Sequence, residues 1–354
     1  MFTQTLTRRV LGSALVDVLT APYGIDRYTE LVSPTWTLSE ARATVMSVRR
    51  STPRSVTVTL QPNRAFFDRM PAVKAGQYVN LTVDIDGRRR TRCYSPANAE
   101  GRRVIELTVG LHDGGEVSTH LHRHARPGMV VGLAGVGGDF VLPAVRPRRI
   151  LLISGGSGIT PVMSMLRTLR SEGHRGQVAF VHYARSRAEA CYYEELAATP
   201  GVRVLHGFTR EPDAGDLAGH FSPDHLEAAM PAPDAVYVCG PPALVAAVHR
   251  HCRSAVSESF VPAVPSSTDS GGGSVSFADS AVTVTADGRP LLELAESAGL
   301  QPAFGCRMGV CHSCTCRKTR GAVRNLLTGV VSATDGEDIQ ICVSVPVGDV
   351  ELGL

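Results

Sequence analysis

No apolar run in these 354 residues approaches the roughly 20 residues needed to cross a bilayer, so a membrane-spanning helix is not expected. Charge of one sign is scarce too. Thirty-six Lys+Arg against 33 Asp+Glu leave a net of +3, too small to argue for a nucleic-acid partner. The opening "LTRRVLGSALVDVL" starts basic and continues apolar, but Asp17 interrupts it and no small-residue cleavage site follows. A signal peptide is therefore not expected, and the chain is assigned to the cytoplasm. The segment reads as an amphipathic helix docked on the body through Leu6, Val10, Leu11 and Val18. Its other reading is peripheral contact with the inner face of a membrane or with a membrane-bound partner. Internal repeats are absent. "VPAVPSSTDSGGGS", residues 261–274, has no large hydrophobe beyond two valines, so it cannot bury surface and reads as a flexible tether.

What is present points to several domains. The length is too great for one ordinary core. Residues 275–354 carry six Lys+Arg against nine Asp+Glu, a net of −3, and residues 1–262 carry 30 against 23, a net of +7. Residues 40–142 hold short alternating runs ("SVTVTL", "QYVNLTV", "VIELTVGL") divided by turn residues, which predict an antiparallel β-barrel or sandwich. Residues 148–260 alternate apolar runs ("RRILLISGG", "QVAFVHY", "VRVLHGF", "AVYVCG") with helical stretches, which predict α/β units on a parallel sheet. The last 80 residues mix strands, a short helix at "LLELAESAG" and a cysteine-rich loop. The expected divisions are a helical extension over 1–38, a barrel over 39–145, an α/β domain over 146–260, the tether, and a final domain over 275–354.

Five of the nine cysteines follow residue 300, and with no export signal that clustering favours ligation over disulfides. Cys306-x4-Cys311-x2-Cys314 with a distant Cys342 is the plant-type 2Fe-2S spacing, three thiolates from one loop and one from a later strand. Paired C-x2-C knuckles, which would suit structural zinc, are missing. Gly305 and Gly309 would let backbone wrap the cluster, and Arg307 could offset thiolate charge. Cys316 is surplus. From about residue 275 onward the chain resembles a plant-type ferredoxin, a resemblance that implies a β-grasp fold (α+β) and one-electron transfer.

Upstream, "RTRCYSPAN" carries Arg92, Cys93, Tyr94 and Ser95. An arginine can pair with a flavin phosphate, a tyrosine can stack on the flavin, and a serine hydroxyl can approach flavin N5. "GGEVSTHL" would set Gly115, Val117 and Ser118 at a helix N-terminus whose free N–H groups bind phosphate. Together with "GDFVLP" at residues 138–143, expected to close the barrel, these resemble the flavin domain of the ferredoxin-NADP reductase superfamily. His112, His120, His122 and His124 are read as a solvated face, since side chains at i, i+2 on a helix diverge.

"ILLISGGSGITP" is strand, glycine turn and helix start, and lets backbone amides approach a pyrophosphate. Gly155, Gly156, Gly158, Ile159, Thr160 and Pro161 match the superfamily form of this turn. In "VYVCGPPALV", Cys239 ends a strand before Gly240, Pro241 and Pro242, and the resemblance implies that Cys239 borders nicotinamide C4. After "VAFVHY" come Arg185, Ser186 and Arg187, with no acid before Glu189, which favours NADPH over NADH. Tyr192 or Tyr193 could stack on the adenine. In "SESFVP", Phe260 would cover the flavin face by similarity to fused reductases, and Glu258 is its polar neighbour.

The resemblance thus implies a relay in which NAD(P)H delivers a hydride to flavin near Ser95 and Cys239 and single electrons leave through Cys306, Cys311, Cys314 and Cys342. FAD is expected over FMN. The same order of modules occurs in reductases of oxygenases, hydroxylases and haem-thiolate monooxygenases. "TAPYGIDRYTELVSPTW" is most similar to reductases that feed membrane acyl-CoA desaturases. The tether would let the acidic module swing between the basic body and an external acceptor. The competing readings are a reductase of a small molecule such as free flavin or nitric oxide, and a scaffold that holds zinc.

Overall fold

The computed structural model describes residue 20 and residues 25–258, 260, 272–304, 309 and 312–354. The expected helix over residues 6–18, most of the tether and the ligands Cys306 and Cys311 lie outside the described residues. Ahead of the first sheet stands helix α1 (Ile25–Val32). Its Asp26 carboxylate accepts hydrogen bonds from Leu38 N at 2.7 Å, Ser39 N at 2.8 Å and Thr37 Oγ1 at 2.8 Å. Arg42 pairs with Glu30 at 3.1 Å, so polar contacts tie the extension down while Leu31, Val32 and Trp36 stay exposed.

Period-two runs then build an antiparallel sheet from β1 (Arg42–Thr52), β2 (Ser55–Pro62), β3 (Tyr78–Ile85), β4 (Arg88–Tyr94), β5 (Ile105–Gly110) and β6 (Val130–Gly137). The order is β4-β3-β6-β1-β2-β5, and the short helix α2 (Arg64–Arg69) follows β2. Inward residues such as Val45, Val58, Leu81 and Leu107 form one core. Helix α3 (Glu116–His124) packs Val117 and Leu121 into that core and touches β2, β3, β4 and β5, bridging the two edges. That is the barrel. Residues 138–143 follow β6, and their Phe140 and Leu142 are buried in a core shared by Ala75 and Ala97 of the barrel and by the next unit. Gly138, at φ +105°, turns the chain away against the Tyr78 ring, so this stretch belongs to the joint.

The second sheet is parallel, with order β10-β9-β8-β7-β11-β12. Its elements are β7 (Arg149–Gly155), α4 (Ile159–Ser171), β8 (Gln177–Ala184), α5 (Tyr193–Ala197), β9 (Val202–Phe208), β10 (Leu217–Ala218), α6 (Pro223–Ala229), β11 (Ala235–Cys239), α7 (Pro242–His251) and β12 (Val256–Glu258). The chain leaves β7 toward β8 on one side and later adds β11 on the other. The C-terminal ends of β7 and β11 therefore flank a topological switch point, where open α/β sheets bind ligands. Helix α4 is the joint with the barrel. Ser164 Oγ donates to Asn98 O at 2.8 Å, Glu100 N donates to Thr168 Oγ1 at 2.9 Å, and Arg167 pairs with Glu106 at 2.8 Å.

The third unit has β13 (Ser274–Phe277), β14 (Val282–Thr285), helix α8 (Leu291–Ser297), β15 (Thr315–Asn325), β16 (Val331–Ser332), β17 (Glu337–Gln340) and β18 (Ser344–Gly353). Its order is β14-β13-β18-β15-β16, with β17 also on β15. Strands β13 and β18 run parallel and the other pairs antiparallel, while Leu291, Leu292, Leu294 and Ala295 of α8 fill the core. A mixed sheet grasping one helix is the expected β-grasp.

Candidate flavin, nicotinamide and iron-sulfur sites

Strand β4 runs beside β3 from Arg88↔Ile85 to Tyr94↔Val79, which delivers Arg92, Cys93, Tyr94 and Ser95 to the rim where the second unit abuts the barrel. There they line a cavity of about 260 Å³ with Gly115, Val117 and Ser118 at the start of α3. Gly115 is the N-cap and makes no side-chain cap bond, which leaves the first-turn amides for an anion. The second unit contributes Ser157, Thr160 and Phe260 to the same walls. Thr108, Gly110 and His112 also line it, and of these wall residues Thr108, Gly110 and Ser157 carry no motif in the sequence. Strand β5 brings the first two residues to this place. His112 is exposed, as expected of a solvated histidine, and stands at the cavity mouth, while His120 and His124 pack ring to ring at 5.2 Å on α3.

The cavity fits a flavin on its own evidence. Ser95 is 3% exposed, and its Oγ is buried with no hydrogen-bond partner, the state of a hydroxyl waiting for a ligand acceptor or donor. Tyr94, pushed far up by burial, stays a neutral phenol. Cys93 directs its thiol to Asn80 Oδ1 at 2.8 Å.

At the switch point, the turn after β7 lies against the end of β11. A Cβ on Gly158 would stand 2.3 Å from Cys239 O, and one on Gly155 would stand 2.9 Å from Pro241 Cδ. The two fingerprint turns are therefore one packed unit, with Gly156 at φ +53° opening the bend. Gly240 N donates to Glu258 O at 3.4 Å, and Cys239 pairs in register with Glu258. The Cys239 thiol is wholly buried and held well above its ordinary pKa by burial, with the Glu258 charge adding to it. Burial also pushes the Glu258 carboxyl up to about 8, and its Oε2 is buried without a partner. Thr160 and Pro161 begin α4 beside this pair.

Glu258 supplies a pH prediction. Its folded pKa of about 8 lies above the 4.5 of an ordinary carboxyl, so the folded state holds a proton that the unfolded chain releases. That stability is fully present below the unfolded value and is lost as pH rises through the folded one. Melting temperature should therefore decline more steeply across that window in the wild type than in Glu258→Gln. Parallel curves for the two proteins would refute the assignment.

At the end of β8, Arg185 is half exposed and 3.7 Å from Glu189, and the Arg187 guanidinium lies 4.4 Å over the Tyr193 ring. Tyr193 also stacks near His206 at 4.6 Å. Ser186 caps the short turn Arg187–Glu189. Tyr192 goes elsewhere: Arg167 covers its ring at 5.0 Å and its hydroxyl bonds Glu106 at 3.2 Å, so it serves the joint. Only Tyr193 of the two stands beside the arginines.

In the third unit, Cys314 and Cys342 are 2% and 4% exposed and share one core. Ile341 N donates to Cys314 O at 3.3 Å, which draws the later strand to the loop. Gly309, at φ +73°, lies so close to Val343 that a Cβ would meet its Cγ2 at 2.8 Å. Gly309 thus lies against the residue that follows Cys342, where a side chain would not fit, and the buried Cys314 and Cys342 thiols suit a cluster. Cys316 turns its thiol to Gly353 O at 3.4 Å, and burial pushes it up to about 11.

A curled antiparallel sheet, a parallel sheet with a glycine-turn switch point and a β-grasp unit with buried thiols define a modular flavin and iron-sulfur oxidoreductase. Sequence families agree in the same order. An oxidoreductase FAD-binding domain matches residues 68–142, an oxidoreductase NAD-binding domain 152–250, and a 2Fe-2S iron-sulfur cluster binding domain 276–347. The NADPH oxidoreductase of Mycobacterium tuberculosis is 37% identical over 353 residues, 95% of this chain and 90% of that protein. The stachydrine N-demethylase reductase subunit Stc4 of Rhizobium meliloti is 29% identical, over 83% of this chain and 91% of its own. Phthalate dioxygenase reductase superposes with a TM-score of 0.61 at 24% identity, covering 88% of this chain and 97% of that one. The Amycolatopsis cytochrome P450 reductase GcoB gives 0.54 at 30% identity, over 64% and 71%. This chain belongs to the ferredoxin-NADP reductase superfamily, in the branch that carries a C-terminal 2Fe-2S domain. Among the described residues no helix is long and apolar enough to cross a membrane.

Proposed function

We propose that the chain takes electrons from NADPH and passes them singly, by way of FAD and the 2Fe-2S centre, to a separate terminal oxygenase, desaturase or haem-thiolate monooxygenase. A membrane acyl-CoA desaturase is the favoured acceptor. The observation that carries the reading is convergence: one cavity is walled by the barrel and the nicotinamide unit, and its Arg92 also meets Phe304 of the third. When bound, the flavin supplies the change from hydride to single-electron chemistry and the cluster supplies the exit.

The protein does the rest. Arg92, Gly115, Val117 and Ser118 hold the flavin phosphates, Tyr94 flanks the ring system, and Ser95 offers its unpartnered hydroxyl to N5. Gly155, Gly156, Gly158, Thr160, Gly240 and Pro241 shape the pyrophosphate and nicotinamide groove. Cys239 and the protonated Glu258 would border the reacting carbon, and Phe260, in the cavity wall, would cover the flavin where the nicotinamide is to bind. Cys306, Cys311, Cys314 and Cys342 hold the iron. The acidic final module on its tether suits a carrier that visits a basic patch elsewhere, in the cytoplasm and close to a membrane-bound acceptor.

Arg185 and Arg187 would receive the 2'-phosphate, with Ser186 between them and Tyr193 under the adenine. In steady-state assays Arg187→Ala should raise KM for NADPH by about tenfold, the loss of one charge-assisted contact, and leave KM for NADH unchanged. An equal change for both coenzymes would place Arg187 outside that pocket. Purified protein lacking flavin and iron-sulfur absorbance, or failing to reduce cytochrome c with NADPH, would sink the whole reading.

A further inference from the structure

The flavin cavity and the β-grasp unit meet at a pair that neither resemblance assigns. Phe304 is half-buried and packs against the hydrophobic core of the third unit. The Arg92 guanidinium lies 5.9 Å from the centroid of that ring. Arg92 also lines the flavin cavity and donates from Nη1 to Thr91 O at 2.8 Å, which orients its plane. A guanidinium over an aromatic face is attractive and directional, and burial against the core keeps the ring from turning away. Phe304 stands two residues before Cys306 in sequence, so whatever fixes its ring also fixes where the cysteine loop begins. Net charges of −3 and +7 on the two parts draw them together without choosing an orientation, whereas a stacked pair does choose one.

We propose that Phe304 is a positioning residue whose ring, seated on Arg92, docks the 2Fe-2S module against the flavin cavity in the orientation used for internal electron transfer. The inference rests on the function proposed above. In the step concerned no bond is made or broken: NADPH supplies two electrons as a hydride, and they cross this contact one at a time. One contact of this kind is modest in strength, so the module can leave for its external acceptor, and the dock is a populated state in exchange with a free one.

The test uses full-length holoprotein as wild type, Phe304→Leu and Phe304→Tyr. Stopped-flow spectroscopy follows flavin reduction by NADPH and cluster reduction separately, and small-angle scattering of the oxidised proteins reports how closely the module sits. Phe304→Leu keeps an apolar side chain in the core and removes the ring face. It should slow cluster reduction by about tenfold and increase the maximum dimension, with flavin reduction unchanged. Phe304→Tyr, which keeps the ring, should restore both. Wild-type cluster reduction and unchanged scattering in Phe304→Leu would overturn the proposal. If that variant loses its cluster, scattering decides alone, and an unaltered maximum dimension counts against the dock. Failure of NADPH to reduce the cluster in the wild type would defeat the functional reading, and the scattering comparison would still judge the contact.

Discussion

Cys342→Ser should abolish NADPH-driven cytochrome c reduction, by at least about 100-fold, while NADPH-driven ferricyanide reduction continues. On the proposed route cytochrome c would draw single electrons through the cluster, whereas ferricyanide would take them at the flavin. The physical basis is the pairing of Cys342 with Cys314, both buried and joined through the hydrogen bond from Ile341 N to Cys314 O. Serine is nearly isosteric, so the core around α8 should hold and the loss should be chemical. Iron content and the visible spectrum of the purified variant check this directly. A variant with its full cluster absorbance would remove Cys342 from the ligand set. The same substitution at Cys316, whose thiol is committed to Gly353 O, should leave the cluster in place.

The second large effect is expected at Gly158. Its φ of −65° is open to any residue, so the requirement for glycine is purely one of space. An added Cβ would lie 2.3 Å from Cys239 O, 2.5 Å from Cys239 C and 2.7 Å from Gly240 N. Those atoms are backbone at the end of a central parallel strand and cannot swing aside. Gly158→Ala must therefore push the first turn away from the second, at a cost of about 1–3 kcal/mol in packing. Displacement of a reacting group by about 1 Å costs about 100-fold in rate. NADPH-driven flavin reduction should fall by that order, with flavin content unchanged and reduction by dithionite intact. Retention of wild-type hydride transfer would mean that the two turns move independently.

Both predictions join residues far apart in the chain, and that marks where sequence reading stopped. The strand runs, the helices after the glycine turns and the Cys306-x4-Cys311-x2-Cys314 spacing were legible, because alternation, glycine and thiolate spacing act locally. The wall of the flavin cavity was only half legible. Thr108, Gly110 and Ser157 carry no local signature and reach the site because β5 and the turn after β7 happen to face each other. The motif at 138–143 marks the end of the barrel but not its packing partners, and Phe140 and Leu142 enter a core that the barrel shares with α4. Tyr192 and Tyr193 were equivalent as letters. The left-handed turn at Tyr192, φ +60°, sends one into the joint under Arg167 and leaves the other beside Arg187.

Lys318 shows the same limit. Within "CRKTR" it reads as one more surface charge, but it is fully buried. Its Nζ donates to Gly321 O at 2.6 Å and Thr334 O at 2.8 Å and pairs with Glu337 at 3.0 Å, which offsets the cost of burying the charge.

By itself, then, the amino-acid sequence determined the three modules and their order, because those depend on patterns and spacings along single stretches of chain. Only the tertiary structure decided that Ser95 is left unpartnered in the cavity wall, that Glu258 is buried beside Cys239, and that Arg92 meets Phe304. Burial and contact depend on what lies across the gap between two units, and no local stretch of chain carries that information.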